Sequence, residues 1–121
     1  MRLYALRGAT TVEANEAGAI LAATTELMHD VLERNALTPD DVVSCIFTVT
    51  DDLDAAFPAT AARRTGFERV PLICSREIPV PGALPRVIRL LMHFHAADDH
   101  APQHVYLHDA RALRNDLEAA Q

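Results

Sequence analysis

The sequence predicts one α/β (α+β) domain, in which a mixed five-stranded sheet packs against one main helix. The chain has 121 residues, half of them hydrophobic, which suits a single globular domain over residues 1–121. Five segments have the alternating or β-branched pattern of strands, and only one long segment repeats its apolar residues at helical spacing. Their order along the chain, β-α-β-α-β-β-β, is typical of a mixed sheet.

The first half of the chain contains two of these strands and the main helix. The predicted elements are a strand that starts near Leu3 and ends at Gly8, a helix from Asn15 or Glu16 to about Asn35, a capped turn at 38–41 and a strand over 42–50. The strand over 42–50 is apolar throughout and rich in β-branched residues. This pattern predicts a strand that is covered on both faces.

The second half contains a short helix and three strands. The helix is expected to open at Phe57-Pro58 and to stop at Gly66. The strands are expected at 70–77, 87–96 and 103–108, with a stiff proline-containing loop between the first two of them. The tail from about 109 to 121 shows no clear pattern; it is either ordered throughout or ordered only when a ligand binds.

A sheet of this size with so few helices leaves one face uncovered. Exposed apolar strand surface favours association with another chain, so we expect an oligomer. The chain itself predicts association but not the number of subunits.

Composition excludes several classes of protein. The net charge of −6 argues against a nucleic-acid partner, which normally meets a basic face. No apolar run reaches membrane-spanning length and the first residues enter a strand pattern, so we expect a cytoplasmic protein without a membrane partner. Cys45 and Cys74 lie in separate predicted strands, which makes a disulfide framework unexpected.

Three charged residues lie at or beside segments that otherwise read as buried strand: Arg7, Glu77 and Arg89. A guanidinium at low dielectric is costly unless an anion meets it. Two arginines and one glutamate near strand ends therefore predict a site for a small ligand that carries several charges. All eleven basic residues are arginine, but a GC-rich genome explains that bias without any functional cause.

Six short motifs contain most of the candidate site residues. They are Arg7-Gly8-Ala9-Thr10-Thr11-Val12-Glu13, Phe57-Pro58-Ala59 with Arg63, Cys74-x-x-Glu77, Ile88-Arg89, His104-Val105-Tyr106-Leu107 and Leu113-Arg114-x-Asp116-Leu117. In this order and at nearly this spacing, they resemble the monofunctional chorismate mutases of the AroH class, the Bacillus type. The resemblance extends over nearly the whole chain.

The resemblance implies a chorismate mutase, which converts chorismate to prephenate on the route to phenylalanine and tyrosine. This Claisen rearrangement is intramolecular and needs no proton transfer, nucleophile, metal or organic cofactor. The enzyme contributes by holding the compact reactive conformer and by stabilising the charge that develops as the ether bond breaks. The resemblance also implies a homotrimer whose sheets form a pseudo-α/β-barrel, with an active site between subunits.

Three residues have catalytic roles by the resemblance. Arg89 points at the ether oxygen and touches a substrate carboxylate; the alternative is an ordinary salt bridge on an exposed strand face. Arg7 binds the enolpyruvyl carboxylate, and Glu77 accepts a hydrogen bond from the ring hydroxyl. We expect the two arginines to keep Glu77 ionised.

The resemblance gives the other candidate residues substrate-binding positions. Tyr106 helps Arg7 to hold its carboxylate, and Cys74 lines the pocket as a thiol donor, with a plain buried cysteine as the alternative. A neighbouring subunit is expected to bring the segment 57–63 over the substrate, and the C-terminal segment is expected to close over it. The remaining binding residues are Phe57, Ala59, Thr60, Arg63, Ile73, Leu113 and Arg114.

One residue departs from the family pattern. Many members have a lysine after Phe-Pro-Ala, where this chain has Thr60. That lysine offers positive charge near the ring carboxylate, so substrate binding here is expected to be weaker or to depend more on Arg63 and Arg114.

Other interpretations remain open from the sequence. His93 and His95 share one strand face and could bind a metal, but no cysteine or carboxylate completes a recognisable ligand set, and we expect no metal. An imine deaminase-like trimeric enzyme and a noncatalytic binder of small dicarboxylates are the two rival functions.

Overall fold

The computed structural model describes residues 1–114, which form one domain with a five-stranded mixed sheet. The strands are β1 (Arg2–Thr11), β2 (Val42–Val49), β3 (Leu72–Arg76), β4 (Val87–Ala96) and β5 (Val105–Tyr106), and the α-helices are α1 (Ala17–Arg34) and α2 (Pro58–Ala62). The order across the sheet is β3-β2-β4-β1-β5. β4 runs antiparallel to β1 and β2, whereas β3 and β5 add parallel strands at the two edges.

Helix α1 covers one face of the sheet. Its buried residues recur at helical spacing: Ile20, Thr24, Leu27, Met28 and Val31. They pack against strand residues that include Phe47, Leu90 and Phe94, and α2 closes the same layer with Ala59 and Ala62. Asn35 ends α1 and binds the chain before β5, because its side chain donates to Gln103 O at 3.0 Å and accepts from Gln103 N at 2.8 Å.

The opposite face of the sheet is not covered by a helix of residues 1–114, and we call it the open face. Strand alternation places Leu3, Arg7, Ile73, Arg89 and Leu91 on it. The apolar members of this set are exposed: Leu3 by 57%, Ile73 by 60% and Leu91 by 37%. The prediction that 42–50 is covered on both faces is therefore wrong for the single subunit, where only Val42, Cys45 and Phe47 are buried.

The predicted fold class, a mixed five-stranded sheet with one main helix, is confirmed, and several boundaries differ. β1 continues past Gly8 to Thr11 because β4 pairs with it along its whole length. Gly8 serves close packing instead of ending the strand, since a Cβ there would lie 3.2 Å from Leu90 Cγ. β3 and β5 are shorter than expected, because each is an edge strand with one neighbour.

The short helix ends earlier than Gly66. α2 stops at Ala62, and a wider helical turn follows over Arg63–Phe67, which Gly66 closes with a φ of 101°. After β5, a 3₁₀ turn at His108–Ala110 leads into helical residues up to 114. The expectations for Asp116, Leu117 and the rest of the tail lie outside the described residues, and those for the assembly stay predictions.

Within residues 1–114, no helix combines the length and the apolar character that crossing a bilayer requires.

Candidate active site

A cleft lies at the edge of the sheet where β3 ends and β4 begins. Its floor is the start of β4, and one wall is the loop 78–85 that joins the two strands. The cavity has a volume of about 260 Å³, and its lining includes Thr50, Asp52, Glu77, Val80, Arg89 and Leu113. The cleft thus brings together three residues that the sequence predicted for the site, namely Glu77, Arg89 and Leu113.

Arg89 and Glu77 bind each other at the base of this cleft. Arg89 Nε donates to Glu77 Oε2 at 2.7 Å, and Arg89 Nη2 donates to Glu77 Oε1, so the pair is bidentate. Thr48 Oγ1 donates to Glu77 Oε2 at 2.7 Å. The backbone N–H of Glu77 donates to Val49 O at 2.9 Å, which holds the residue beside β2 just after β3 ends.

The hydrogen bonds of the pair shift both pKa values towards the charged forms. Burial tends to raise the pKa of Glu77, but hydrogen bonds from Arg89 and Thr48 and the charge of Arg89 outweigh burial and lower it. The hydrogen bond to Glu77 raises the pKa of Arg89 against the opposing effect of burial. Of the two arginines expected to ionise Glu77, Arg89 does so together with Thr48.

Tyr106 lies in the same row of the open face as Arg89. Ala9 of β1 pairs with Arg89 on one side and with Tyr106 of β5 on the other. Tyr106 Oη is buried and has no hydrogen-bond partner among residues 1–114. Because a buried hydroxyl without a partner is costly, this oxygen marks a place where a ligand atom would be stabilised.

Arg7 lies diagonally across from Arg89 on the open face, since it pairs with Leu91 while Ala9 pairs with Arg89. Its side chain forms no salt bridge with the residues that the structure describes. The backbone N–H of Arg7 donates to His104 Nδ1 at 2.9 Å. Burial and the charges of Arg7 and Arg114 lower the pKa of His104, which favours the neutral ring that accepts this bond.

A second set of predicted residues lies elsewhere in the subunit. Phe57, which is 70% exposed, and Cys74 line a separate depression of about 390 Å³ between α2 and β3. Arg63 is exposed at the end of α2 and Thr60 is half-buried. Ala59 is only 2% exposed, so its methyl group packs in the core and does not line a surface of the subunit.

Cys74, which the resemblance puts in the pocket near Glu77, does not line the Arg89 cleft of the single subunit. Cys74 pairs with the core residue Phe47, so its side chain points to the helix-covered side, while Ile73 beside it faces the open side. Both cysteines are free thiols. Burial raises the pKa of Cys45 to about 12, which makes it an inert core residue.

Known proteins similar to this chain identify its family. The family model described as chorismate mutase type I matches residues 3–117. The chain belongs to this family. Chorismate mutase AroH of Thermus thermophilus is 50% identical over 96% of this chain and 97% of that protein. Chorismate mutase AroH of Bacillus subtilis is 39% identical over 97% of this chain and 94% of that protein.

A solved structure agrees with the family assignment. The fold is similar to that of a chorismate mutase from Clostridium thermocellum, with a TM-score of 0.86, 49% sequence identity, and coverage of 90% of this chain and 98% of that chain. The predicted resemblance to AroH-class chorismate mutases is confirmed. The imine deaminase and the noncatalytic binder are not favoured by these relatives.

Sequence reasoning missed several residues of the chorismate mutase cleft. Thr48 donates a hydrogen bond to Glu77, and Thr50 and Asp52 line the cleft. The available signal was the strand pattern, because Thr48 pairs with Arg89 once β2 and β4 are placed in register. No group of histidine, cysteine and carboxylate side chains within 1–114 is arranged to hold a metal ion.

Proposed function

We propose that this chorismate mutase rearranges chorismate to prephenate at the cleft that holds Arg89 and Glu77. The observation that carries the proposal is the bidentate Arg89–Glu77 pair at the base of a cleft in a member of this family. Chorismate carries two carboxylates, a ring hydroxyl and an ether oxygen that gains negative charge as its bond to the ring breaks. A fixed guanidinium beside a fixed carboxylate suits that distribution of charge.

Arg89 is the proposed catalytic donor to the ether oxygen. Its side chain is 49% exposed and Glu77 holds its Nε and Nη2, so the other N–H groups of the guanidinium are available to a ligand in the cleft. Since Glu77 already orients the guanidinium, little reorganisation is needed when charge develops on the oxygen.

Glu77 is the proposed acceptor for the ring hydroxyl. Each carboxylate oxygen has more than one acceptor position, so Glu77 can bind Arg89, Thr48 and a hydroxyl together. Its lowered pKa keeps it ionised near neutral pH, which favours the acceptor role.

Arg7 and Tyr106 are the proposed ligands of the enolpyruvyl carboxylate. Both lie on the open face, Tyr106 in the same row as Arg89 and Arg7 diagonally across from Arg89, and the hydroxyl of Tyr106 lacks a partner in residues 1–114. A carboxylate held by a guanidinium and a phenol restricts the side chain of chorismate to its reactive fold.

We also propose that the complete site lies between subunits of a homotrimer. The set that contains Phe57 and Cys74 lies in a different depression from the Arg89 cleft, so a second subunit would have to bring it to the substrate. In this arrangement a neighbour contributes the binding residues Phe57, Ala59, Thr60, Arg63, Ile73 and Cys74, with Ala59 supporting the turn from within the core. The exposed apolar residues of the open face support sheet-to-sheet association into the pseudo-α/β-barrel.

The C-terminal segment is proposed to close the cleft. Leu113 already contributes to its lining, and the charge of Arg114 reaches His104 beside Arg7. The rearrangement is intramolecular, so the proposed mechanism uses no metal or organic cofactor. We place the enzyme in the cytoplasm, as suits a family that acts in amino-acid biosynthesis.

The decisive experiment follows chorismate loss by ultraviolet absorbance with the purified protein. Rapid loss, with a product that acid converts to phenylpyruvate, is the expected result, and Arg89→Ala should abolish it. A folded wild-type protein without turnover would contradict the proposal.

Subunit mixing tests the intersubunit site. Arg89→Ala and Arg63→Ala proteins should each be weak alone, and mixed trimers should regain activity where an intact Arg89 meets a neighbour's intact Arg63. Sedimentation should give three times the 13.3 kDa chain mass. Absence of complementation in demonstrably mixed trimers would place both residues in one subunit's site.

A further inference from the structure

The wall of the active-site cleft is a loop with little internal freedom. Within 78–85, Ala83 N donates to Val80 O at 3.1 Å, and Gly82 has a φ of 84° after Pro81. Proline and glycine at these places form a type II turn. Because the turn is stiff, the position of this wall depends on how the two ends of the loop are held.

The end of the loop nearer β4 has an unusual backbone conformation. Arg86 has a φ of 51°, in the left-handed region that residues with a side chain disfavour. Arg86 and Val12 share two hydrogen bonds. Val12 N donates to Arg86 O at 2.9 Å, and the side-chain Nε of Arg86 donates to Val12 O at 2.9 Å. These bonds tie Arg86 to β1 but leave its own backbone N–H for another acceptor.

Asp52 is that acceptor. Its Oδ2 and Oδ1 accept from the backbone N–H of Arg86 at 3.0 and 3.2 Å. Thr50 Oγ1 donates to Asp52 Oδ1 at 2.5 Å and itself accepts from Val87 N at 3.0 Å. Asp52 and Thr50 therefore hold two successive backbone amides at the point where the loop becomes β4.

We propose that Asp52 is a positioning residue for the rearrangement. It holds Arg86, the junction between the loop 78–85 and β4, which we call the hinge. By holding the hinge, Asp52 sets the position of the loop and of the start of β4, the strand that carries Arg89. The inference rests on the proposed function, since it assigns Asp52 a role in that same site. Arg89 comes two residues after Val87, so a shift of the hinge moves the guanidinium relative to the wall.

A positioning role and a purely electrostatic role of Asp52 predict opposite effects when its carboxylate is removed. A carboxylate on the wall of a cleft that takes a dianion opposes binding, so deleting it would help binding if charge were its only effect. Asp51 is the matched control, because it also borders the cleft, is exposed, and its side chain makes no hydrogen bond with residues 1–114.

Steady-state kinetics compare Asp52→Ala with Asp51→Ala. Asp52→Ala should lower kcat/KM roughly ten- to hundredfold, mainly through kcat, since the reacting groups are misplaced. In Asp51→Ala, KM should stay the same or fall, and kcat should not change. Equal behaviour of the two variants would overturn the proposal. Should Asp52→Ala fail to fold, Thr50→Val replaces it. Its kcat/KM should fall at least roughly threefold. Wild-type kinetics in that variant would overturn the proposal.

A double-mutant cycle tests the hinge itself. Glycine adopts a positive φ freely, so in an Arg86→Gly background the hinge depends less on Asp52. Asp52→Ala should then cost several-fold less than it does beside the native Arg86. The same fold loss in both backgrounds would exclude the hinge as the route.

Amide hydrogen exchange gives a readout that does not depend on turnover. In Asp52→Ala, the amides of Arg86 and Val87 should exchange at least roughly tenfold faster than in Asp51→Ala, because their acceptors are lost or loosened. Unchanged protection would overturn the proposal even if the protein is an active mutase. Conversely, faster exchange in Asp52→Ala, together with a wild-type protein that shows no turnover, would uphold the hinge and reject the proposed function.

Discussion

Arg89 and Glu77 bind each other through two hydrogen bonds. Arg89 stands on β4 and Glu77 follows β3, so the pair crosses β2, whose Thr48 supplies a third hydrogen bond. The protein thus orients the two opposite charges that we propose for the rearrangement. Binding energy is then not needed to arrange these proposed catalytic groups.

Replacing the guanidinium of Arg89 by an ammonium should remove most of the activity. Arg89→Lys keeps the positive charge but cannot hold both oxygens of Glu77 and a substrate oxygen in one plane. We expect kcat to fall by about 10²–10³, as for loss of a preorganised donor, with a smaller change in KM. Steady-state kinetics beside Arg69→Lys, an exposed arginine away from the cleft, checks this. A kcat near that of the control would remove Arg89 from the central role.

Acid should break the Arg89–Glu77 pair only below the usual range for a glutamate. The pKa of Glu77 is lowered from 4.5, so its contribution to the free energy of unfolding is fully present above pH 4.5 and is lost as pH falls through the lower folded-state pKa. The difference in Tm between wild type and Glu77→Gln should be constant from pH 7 to about 5 and shrink below about 4.5. Glu68→Gln, at an exposed position, should show no such change. A difference that shrinks already above pH 5 would contradict a lowered pKa.

His104 should make stability depend on pH in a higher window. Its Nδ1 accepts the Arg7 backbone N–H, which a protonated ring cannot do, and its pKa is lowered from 6.5 by burial and by Arg7 and Arg114. The unfolded chain therefore binds the proton more readily, and stability falls as pH drops from 6.5 through the folded-state pKa.

The variant that tests this is His104→Asn. It keeps an oxygen acceptor but cannot titrate, so the slope of Tm against pH below 6.5 should be flatter than in wild type. His29→Gln, on the exposed side of α1, is the control. An unchanged slope in His104→Asn would show that another group causes the pH dependence.

Thr60→Lys should strengthen substrate binding without faster chemistry. Thr60 is half-buried near the exposed Arg63, in the segment that we propose meets the substrate of a neighbouring subunit. An added ammonium near a ring carboxylate is expected to lower KM several-fold, with kcat little changed, as for an interaction made equally in the ground state and the transition state. Thr65→Lys, beyond the segment 57–63, is the comparison. An unchanged KM would mean that residue 60 does not face the substrate.

Two positions with positive φ should both favour glycine over alanine. Ala36, just after α1, has a φ of 53° and completes a helix-ending motif in which Leu37 N donates to Leu32 O at 2.9 Å. Ala36→Gly should raise the free energy of unfolding by about 0.5–1 kcal/mol, because glycine takes this conformation without strain.

At the second position the native residue is already glycine. Gly66 has a φ of 101°, and a Cβ there would lie 3.2 Å from Pro39 Cγ. Gly66→Ala should therefore destabilise the protein by about 1–2 kcal/mol. Urea unfolding of both variants measures the two changes, and shifts of the same sign would contradict the backbone argument.

Much of this protein follows from its sequence alone. Helical spacing from Ile20 to Val31 determined α1, because burial of one face leaves a local periodic pattern, and a β-branched apolar run determined β2. Short motifs identified Arg7, Glu77 and Arg89 through resemblance to a family that the comparisons confirm.

The tertiary structure alone decided which side chains meet. The pairing of β2 with β4 places Thr48 beside Arg89, and the alternation of β3 places Cys74 on the opposite side from Ile73. The contact between Asp52 and Arg86 joins residues 34 positions apart in the chain. No local pattern encodes such contacts, since strand register and loop position result from packing of the whole sheet. The sequence therefore determined the elements and the chemistry, and the fold determined the geometry that connects them.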